Sequence, residues 1–224
     1  MAEPEPSGAA GDGLGQRFLP GPAVPLLRRR DTVMTIAVGQ QAPSFRLPSG
    51  QGGHIGLDDY RGRSRVILWF TKGMCCPFCR SHMSQLARGY SKFKALGADL
   101  IEVTPTTPER ARSYVQKFRI PFPYLCDPGY QTWPVWGLEV RSRPITWYAS
   151  RLLQGMTTPP PPNDFGPTKP FFRELPKVLA DDDMGFFIID RGGVVRYVLS
   201  AAVGRQIPSN DEIARELEQC PRGE

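Results

Sequence analysis

Residues 66–80 read V-I-L-W-F-T-K-G-M-C-C-P-F-C-R. The apolar run Val66–Phe70 predicts a buried strand, and the pattern that continues to Gly97 predicts a helix. Pro77 suits the first position of that helix, because an N–H group at that position would have no helical partner. The sequence therefore predicts Cys76 at the N-cap and Cys79 one turn later on the same face of the helix.

This position favours reactive thiols. Unpaired backbone N–H groups and the positive end of the helix dipole lower the pKa of a thiol and stabilise its thiolate. An inert buried pair is one alternative, and a zinc site is another. Zinc needs further thiolate or imidazole ligands, and no second paired spacing occurs among the remaining candidates, which are Cys75, Cys126, Cys220, His54 and His82. We interpret Cys76 and Cys79 as a redox-active pair.

The composition narrows the class of protein. The chain has 224 residues, 40% of them hydrophobic, and five cysteines, which fits one domain with appendages but not a secreted disulfide framework. The start, Met1–Pro6, lacks the basic and apolar regions of a signal peptide, and no run is long enough to span a membrane. We expect a cytoplasmic protein. The net charge is +6, but the basic run Arg28–Arg30 comes without a nucleic-acid-binding motif, so a mildly basic enzyme is expected instead.

The order of elements predicts an α/β protein with a thioredoxin-like fold, a central mixed sheet flanked by helices. Residues 1–35, rich in Gly, Pro and Ala, predict a disordered or loosely attached arm, and residues 36–220 predict the domain. A second strand is expected over Leu100–Thr104, parallel to the first. Gly185–Asp190 and Val194–Leu199 predict an antiparallel pair, and Ser209–Glu212 is a capping box for a last helix.

A Trp- and Pro-rich insertion is predicted over about residues 139–182. It includes the run Pro159–Pro162, which favours polyproline II and excludes a central strand. We expect a lid or packing arm over the domain, with a ligand for a proline-recognition domain as the alternative.

Four separate segments, in order, resemble the peroxiredoxin (AhpC/TSA) superfamily. They are V-G-Q-Q-A-P-S-F-R-L-P from Val38, L-D-D-Y-R-G from Leu57, the segment Leu68–Arg80, and F-I-I-D-R-G-G-V-V from Phe187. The Cys turn is most similar to the branch that carries R-G-x-W-C-P-x-C. The resemblance implies a thiol-dependent peroxidase in which Cys76 is peroxidatic and Cys79 is its resolving partner. It further implies a hydroperoxide substrate, a thioredoxin- or glutaredoxin-type reductant, no metal or organic cofactor, and a homodimer as an open option.

The chain departs from the family pattern at three positions. Peroxiredoxins usually carry Thr or Ser three residues before the peroxidatic Cys, where this chain has Gly73, and Pro seven residues before it, where this chain has Trp69. They also carry an Arg just before the F-x-I-D strand, where this chain has Met184. Lys72, Arg80 and Arg143 are the candidates for the missing positive charge. Backbone N–H groups of Gly73–Phe78, including the turn around Pro77, are expected to stabilise negative charge. Cys75 replaces the usual Trp and is expected to be a bystander, with an alternative resolving role left open.

Two rival functions remain. A protein disulfide oxidoreductase would use the same cysteine pair, although Met184 stands where such reductases carry a cis-Pro. A non-catalytic thioredoxin-fold module that binds a partner or senses redox state would not need Cys76. For the other candidates we expect Cys126 in the core, His82 and His54 at the surface, and Cys220 near an exposed terminus where an intermolecular disulfide is an option.

Overall fold

The computed structural model describes residues 36–141, 162–166, 183–202 and 206–220, with a few single residues between 144 and 153. All of these belong to one compact unit, Val33–Glu224. The arm of residues 1–35 and most of the insertion, including Pro159–Pro161, lie outside the described residues. The domain boundaries therefore stay predictions.

The domain contains seven described strands and three described helices. A small antiparallel pair, β1 (Arg46–Pro48) and β2 (His54–Gly56), precedes the main sheet. The main sheet consists of β3 (Arg65–Phe70), β4 (Ala98–Thr104), β5 (Tyr124–Cys126), β6 (Asp183–Ile189) and β7 (Val195–Ala202). The helices are α1 (Pro77–Ala95), α2 (Pro108–Phe118) and α3 (Asn210–Gln219). Short 3-10 turns cover Leu57–Tyr60, Gly73–Cys75 and Pro134–Trp136.

The main sheet is mixed and has the strand order β5-β4-β3-β6-β7. Strands β3, β4 and β5 are parallel neighbours, and β6 and β7 continue the sheet in antiparallel orientation. In this register Glu102 lies between Trp69 on one side and Tyr124 on the other. The prediction of a thioredoxin-like fold, with a mixed sheet flanked by helices, is confirmed.

Each face of the sheet has its own core. We call one the helix face: Ile67, Trp69 and Leu100 pack there with residues of all three helices, among them Met83, Leu86, Tyr114, Ile213 and Leu217. We call the other the aromatic face: Leu68, Phe70, Val103 and Phe187 pack there with Trp133 and Trp136. Alternate residues of each strand supply the two faces, because successive side chains of a strand point to opposite sides.

The ends of α1 are those that the sequence predicts. Cys76 is the N-cap and Pro77 the first helical residue, and Gly97 follows the C-cap Leu96 with a left-handed φ of +72°. Such a φ is accessible to Gly at no steric cost, which explains the stop. The capping box of α3 is also present, with the Ser209 side chain accepting from the Glu212 N–H.

Residues 162–166, a small part of the insertion, pack against α1. The Asp164 N–H donates to Ser84 Oγ at 2.7 Å, and Phe165 lies edge-on to Phe118 of α2. Most of the rest of the proposed lid lies outside the described residues. Within the part of the chain that the structure describes, no helix is long and apolar enough to cross a membrane.

Candidate active site

The two cysteines of the C-x-x-C pair meet at the N-terminus of α1. Strand β3 ends at Phe70, the 3-10 turn Gly73–Cys75 redirects the chain, and Cys76 takes extended backbone angles as the N-cap. The Cys79 N–H donates to Cys76 Sγ across 3.5 Å. The sulfur of Cys76 thus occupies the position of a capping oxygen and accepts from one of the unpaired N–H groups of the first turn.

The surroundings of Cys76 favour its thiolate. A hydrogen bond from the Cys79 thiol is the main cause that lowers the pKa of Cys76 to about 7, against the opposing effect of burial. The backbone N–H of Cys79 and the positive charge of Lys72 lower it further. At neutral pH a large fraction of Cys76 is therefore ionised, which is the form that acts as a nucleophile.

Cys79 has the opposite character. Burial raises the pKa of the Cys79 thiol well above its ordinary value, and the neighbouring Cys76 raises it further. Both side chains are buried, each with 2% exposure. Once Cys76 is ionised, the pair therefore holds one negative charge, on Cys76, and one proton, on Cys79.

Two cations lie close to the thiols. Lys72, two residues after the end of β3, is itself buried with 2% exposure. Arg80 folds back from the first turn of α1, so that its Nη1 donates to the Met74 carbonyl at 2.9 Å. Burial lowers the pKa of the Arg80 guanidinium while the three thiolates of Cys76, Cys75 and Cys79 would raise it, so all three lie within its electrostatic reach.

Cys75 is buried beside the pair, and its Sγ donates to the Lys72 carbonyl at 3.1 Å. This hydrogen bond closes the turn between β3 and α1.

Tyr124 of β5 contacts the 3-10 turn Gly73–Cys75 and fixes its position. The Met74 N–H donates to Tyr124 Oη at 3.2 Å, and the same hydroxyl lies 3.1 Å from Thr106 Oγ1. Gly73 has a left-handed φ of +69°, and a Cβ there would lie 2.0 Å from Tyr124 Oη. Gly73 is therefore required on two grounds, its backbone angle and the close approach of Tyr124.

Sequence reasoning missed Glu102 and Tyr124. Glu102 is fully buried on the helix face, and within the described residues neither of its carboxyl oxygens has a hydrogen-bond partner. Burial raises the pKa of Glu102 well above its ordinary value. The available signal was an acid in the middle of an apolar strand, L-I-E-V. Tyr124 gave no such signal, because only the register of β5 brings it to the turn.

Several expectations about single residues need correction. His82 was expected at the surface but is buried, with its ring 6.1 Å from that of Trp69, because α1 turns that face toward the sheet. Cys220 was expected near an exposed terminus but is buried, because α3 packs its last turn into the core. Met184 lies inside β6 rather than in a loop before it, since its pairing with Ala201 extends the ladder.

Other expectations are confirmed or cannot be checked. Cys126 is buried and His54 is exposed, as expected. Arg143 lies outside the described residues. Among the described residues, no group of three or more His, Cys, Asp or Glu side chains is arranged to hold a metal ion.

Comparison with known proteins gives the family. Residues 38–159, more than half of the chain, match the AhpC/TSA family. The chain belongs to the AhpC/TSA family. Peroxiredoxin Bcp of Bacillus subtilis is 30% identical over 109 residues, which cover 47% of this chain and 69% of that protein. A Mycobacterium tuberculosis protein named as a peroxiredoxin is 31% identical over 99 residues, 44% of this chain. The match spans 62% of that relative's own length.

Solved structures share the fold. Peroxidoxin BcpB from Mycobacterium tuberculosis superposes with a TM-score of 0.56 and 16% sequence identity, covering 82% of this chain and 97% of that chain. A structure described as a thiol:disulfide interchange protein DsbE, from Chlorobium tepidum, gives a TM-score of 0.54 at 20% identity, covering 83% of this chain and 98% of that chain. The fold is therefore shared by proteins named as a peroxidoxin and as a thiol:disulfide interchange protein, so the fold by itself does not decide the reaction.

Proposed function

We propose that this AhpC/TSA-family protein is a thiol-dependent peroxidase that reduces hydroperoxides through Cys76 and Cys79. The observation that carries the proposal is the division of roles within the buried pair. The pKa of Cys76 is lowered to about 7 at the helix N-terminus, which favours its thiolate, and the pKa of Cys79 one turn away is raised well above its ordinary value, which favours its protonated form. A nucleophile and a proton-bearing resolving thiol are the two groups that the reaction needs.

In the first step the Cys76 thiolate attacks one oxygen of the hydroperoxide. The O–O bond breaks, the Cys76 sulfur takes the OH group and becomes a sulfenic acid, and the departing alkoxide takes a proton from the solvent and leaves as the alcohol. The N–H of Cys79, already bonded to Cys76 Sγ at 3.5 Å, stays beside the reacting sulfur. Lys72 supplies a positive charge at this point.

In the second step the Cys79 sulfur attacks the sulfur of the Cys76 sulfenic acid. An S–S bond forms, the S–O bond breaks and water leaves. Residues three apart in a helix have Cβ atoms about 5–6 Å apart, so a disulfide needs only a small adjustment of the first turn. An external dithiol of the thioredoxin or glutaredoxin type would then reduce the disulfide through a mixed disulfide.

Lys72 and Arg80 take the place of the Arg that the family pattern puts before the F-x-I-D strand. Lys72 lowers the pKa of Cys76 through its charge. Arg80 is anchored on the Met74 carbonyl, within the same turn. In this proposal Gly73 and Pro77 shape the turn that presents Cys76 through their backbone, and Cys75 shapes it through the hydrogen bond of its Sγ to the Lys72 carbonyl. A cytoplasmic location and a homodimer stay predictions.

The test is a stopped-flow reaction of the fully reduced protein with hydrogen peroxide and with an organic hydroperoxide, followed by Trp fluorescence. Trp69 is buried in the same core as Cys76 and serves as the reporter. We expect a fast reaction whose rate rises with pH through about 7, as the thiolate forms. Cys76→Ser should lower the rate by about 10³-fold or more, and Cys79→Ser should accumulate sulfenic acid.

Cys220→Ser is the matched control, since it removes another buried thiol that lies on α3's end rather than on the turn. It should react like the unaltered protein. A rate no higher than that of a free thiol would refute the peroxidase and favour the protein disulfide oxidoreductase. Retention of full biological activity in Cys76→Ser would instead favour the non-catalytic binding module.

A further inference from the structure

Thr71 is a buried residue whose hydroxyl has no structural task in the part of the chain that the structure describes. Its side chain is 1% exposed, and Oγ1 makes no hydrogen bond of normal geometry to any described residue. A buried hydroxyl without a partner lowers stability, whereas a Val of similar shape would carry no such cost. Thr71 directly follows the apolar strand β3, which Val would simply extend. The hydroxyl therefore needs a reason of another kind.

The backbone directs the Thr71 side chain toward the thiol pair. The Thr71 N–H donates to the Val103 carbonyl at 3.0 Å, so the hydrogen bonding between β3 and β4 continues for one residue beyond the end of β3. Successive side chains of an extended strand alternate between the two sides of the sheet. Trp69 packs on the helix face, and Thr71, two residues later, therefore points to the same face. Cys76 and Cys79 are buried on that face as well.

The Thr71 hydroxyl interacts with the sulfur of Cys79. Burial is the main cause that raises the pKa of the Cys79 thiol, and the neighbouring Cys76 raises it further, whereas a hydrogen bond from the Thr71 hydroxyl lowers it. The Cys79 thiol in turn donates to the Cys76 sulfur. The three side chains thus form a chain of donors that ends on the Cys76 thiolate. A neutral thiol is a weak acceptor, which explains why the bond from Thr71 is loose while Cys79 keeps its proton.

This loose bond becomes strong when Cys79 carries negative charge, because hydrogen bonds to an ionised acceptor are shorter and roughly twice as strong as bonds between neutral groups. A donor that is in place but unsatisfied in the resting site stabilises a charge that develops only during the reaction. We propose that the Thr71 hydroxyl stabilises negative charge on the Cys79 sulfur, both when Cys79 attacks the Cys76 sulfenic acid and when it leaves during reduction of the disulfide. The inference rests on the proposed function, since it assigns a role in the same reaction.

Both steps balance with Thr71 as a donor that keeps its own proton. In the first step an electron pair of the Cys79 sulfur forms the S–S bond, the S–O bond of the Cys76 sulfenic acid breaks, and the departing hydroxide takes the Cys79 proton and leaves as water. In the second step a thiolate of the external dithiol attacks Cys76, and Cys79 leaves as a thiolate beside Thr71. Cys79 then takes the proton of the second thiol of the dithiol, whose sulfur displaces the Cys76 thiolate and closes the disulfide of the oxidised dithiol. The dithiol thus supplies both electrons.

The test follows a single turnover in Thr71→Val. The reduced protein is mixed with hydrogen peroxide, quenched with dimedone at successive times, and analysed by mass spectrometry for trapped sulfenic acid and for the disulfide. We expect sulfenic acid to form at nearly the rate of the unaltered protein, and the disulfide to form about tenfold more slowly or slower still. Thr71→Ser, which keeps the hydroxyl, should restore the rate of disulfide formation. Equal rates of disulfide formation in Thr71→Val and in the unaltered protein overturn the inference.

Thr132→Val is the matched control, because it removes the hydroxyl of a buried Thr that has a partner: Thr132 Oγ1 donates to Asp127 Oδ2 at 2.5 Å. Thr132→Val should lower the free energy of unfolding in urea and leave the rate of disulfide formation unchanged. Thr71→Val should do the reverse, because it loses no hydrogen bond of normal geometry. A Thr71→Val protein that is clearly less stable than the unaltered protein, or that does not fold, would show that the hydroxyl has a structural role and would overturn the inference.

A second measurement separates this inference from the peroxidase proposal. The Cys76–Cys79 disulfide is formed with diamide, without peroxide, and its reduction by dithiothreitol is followed in time. We expect reduction to be about tenfold slower in Thr71→Val, because the departing Cys79 thiolate has lost its donor, and normal in Thr71→Ser. That pattern, in a protein that does not react with peroxide, would refute the peroxidase and retain the role of Thr71. Equal rates of reduction overturn the role of Thr71 alone, and failure to form the disulfide with any oxidant overturns both.

Discussion

The helix face and the aromatic face are supplied by the same strands but bury different chemistry. Along β4, Leu100, Glu102 and Thr104 alternate with Ile101 and Val103. The aromatic face contains apolar side chains and closely spaced rings, such as Phe70 and Trp133 with centroids 5.0 Å apart. The helix face buries the thiol pair, Glu102 and Tyr124 as well. One face thus stabilises the sheet, while the other also holds its reactive groups.

The difference shows how a small domain keeps a buried polar site in place. Buried polar groups with unmade hydrogen bonds lower stability, and burial of large apolar side chains offsets that loss. The cluster of Trp133, Trp136, Phe70 and Phe187 lies directly behind the strands that carry the site. We therefore expect substitutions on the aromatic face to change stability alone, and substitutions on the helix face to change thiol chemistry.

The largest effect is expected for Trp136→Ala on the aromatic face. The Trp136 ring lies 4.8 Å from Phe187 and 5.5 Å from Phe70, so its removal leaves a large cavity. We expect the free energy of unfolding to fall by about 3–5 kcal/mol, measured by denaturant titration. The pKa of Cys76, measured by the ultraviolet absorbance of its thiolate, should stay near 7. A shift of that pKa would show that the two faces are not separate.

A smaller effect on stability but a direct effect on the site is expected for Gly73→Ala. The new Cβ meets Tyr124 Oη and would lie 2.9 Å from Thr104 Cγ2, so the turn must move. We expect a loss of about 2–3 kcal/mol together with slower reaction of Cys76 with an alkylating reagent.

Gly62→Ala is the control for this turn, because Gly62 also has a left-handed φ, +74°, but open space around it. It should cost about 1 kcal/mol from backbone strain alone and leave Cys76 unchanged. If the two variants behave alike, the close approach of Tyr124 is not what constrains the turn.

Glu102→Gln should change how stability depends on pH. Because the pKa of Glu102 is raised in the folded protein, its carboxyl binds a proton that the unfolded chain releases above about pH 4.5. Stability associated with the protonated group is complete below that pH and is lost as pH rises toward the folded pKa. In this window the unaltered protein should lose about 1.4 kcal/mol per pH unit relative to Glu102→Gln, measured by urea unfolding of the reduced proteins at several pH values. Parallel pH profiles would contradict a protonated Glu102.

The smallest effect is expected for Lys72→Met, which keeps a long apolar stem and removes the charge. The pKa of Cys76 should rise by about one unit, because a positive charge no longer favours the thiolate. At pH 7 this corresponds to about fivefold slower alkylation of Cys76. Lys92→Met, on the exposed part of α1, is the control. An unchanged alkylation rate in Lys72→Met would indicate that Arg80, and not Lys72, is the cation that favours the Cys76 thiolate.

Much of the site was predictable because it depends on neighbours in sequence. A strand, a turn and a Pro at the first helical position fix Cys76 as the N-cap, and the helical repeat fixes Cys79 beside it. The local cap geometry also predicts which of the two sulfurs accepts an N–H bond. The capping box of Ser209 and Glu212 was predictable for the same reason.

His82 and Cys220 show where such reasoning fails. His82 was expected at the surface because its distance along the helix from Cys79 says nothing about which neighbours α1 meets. Its burial follows from the approach of Trp69, a residue of another element. Cys220 is close to the chain end, yet α3 packs against α1 and β3 and takes it into the core.

The sequence alone therefore determines the strand–turn–helix unit, its two thiols and which of them caps the helix, because those features arise within about a dozen consecutive residues. Only the tertiary structure decides that Tyr124 reaches the turn and that Glu102, beside Tyr124 in the sheet, has no hydrogen-bond partner among the described residues. These contacts join residues up to 51 positions apart through the register of three parallel strands. Strand pairing is set by the burial of whole faces, and no local pattern in the chain records which polar side chains it will bring together.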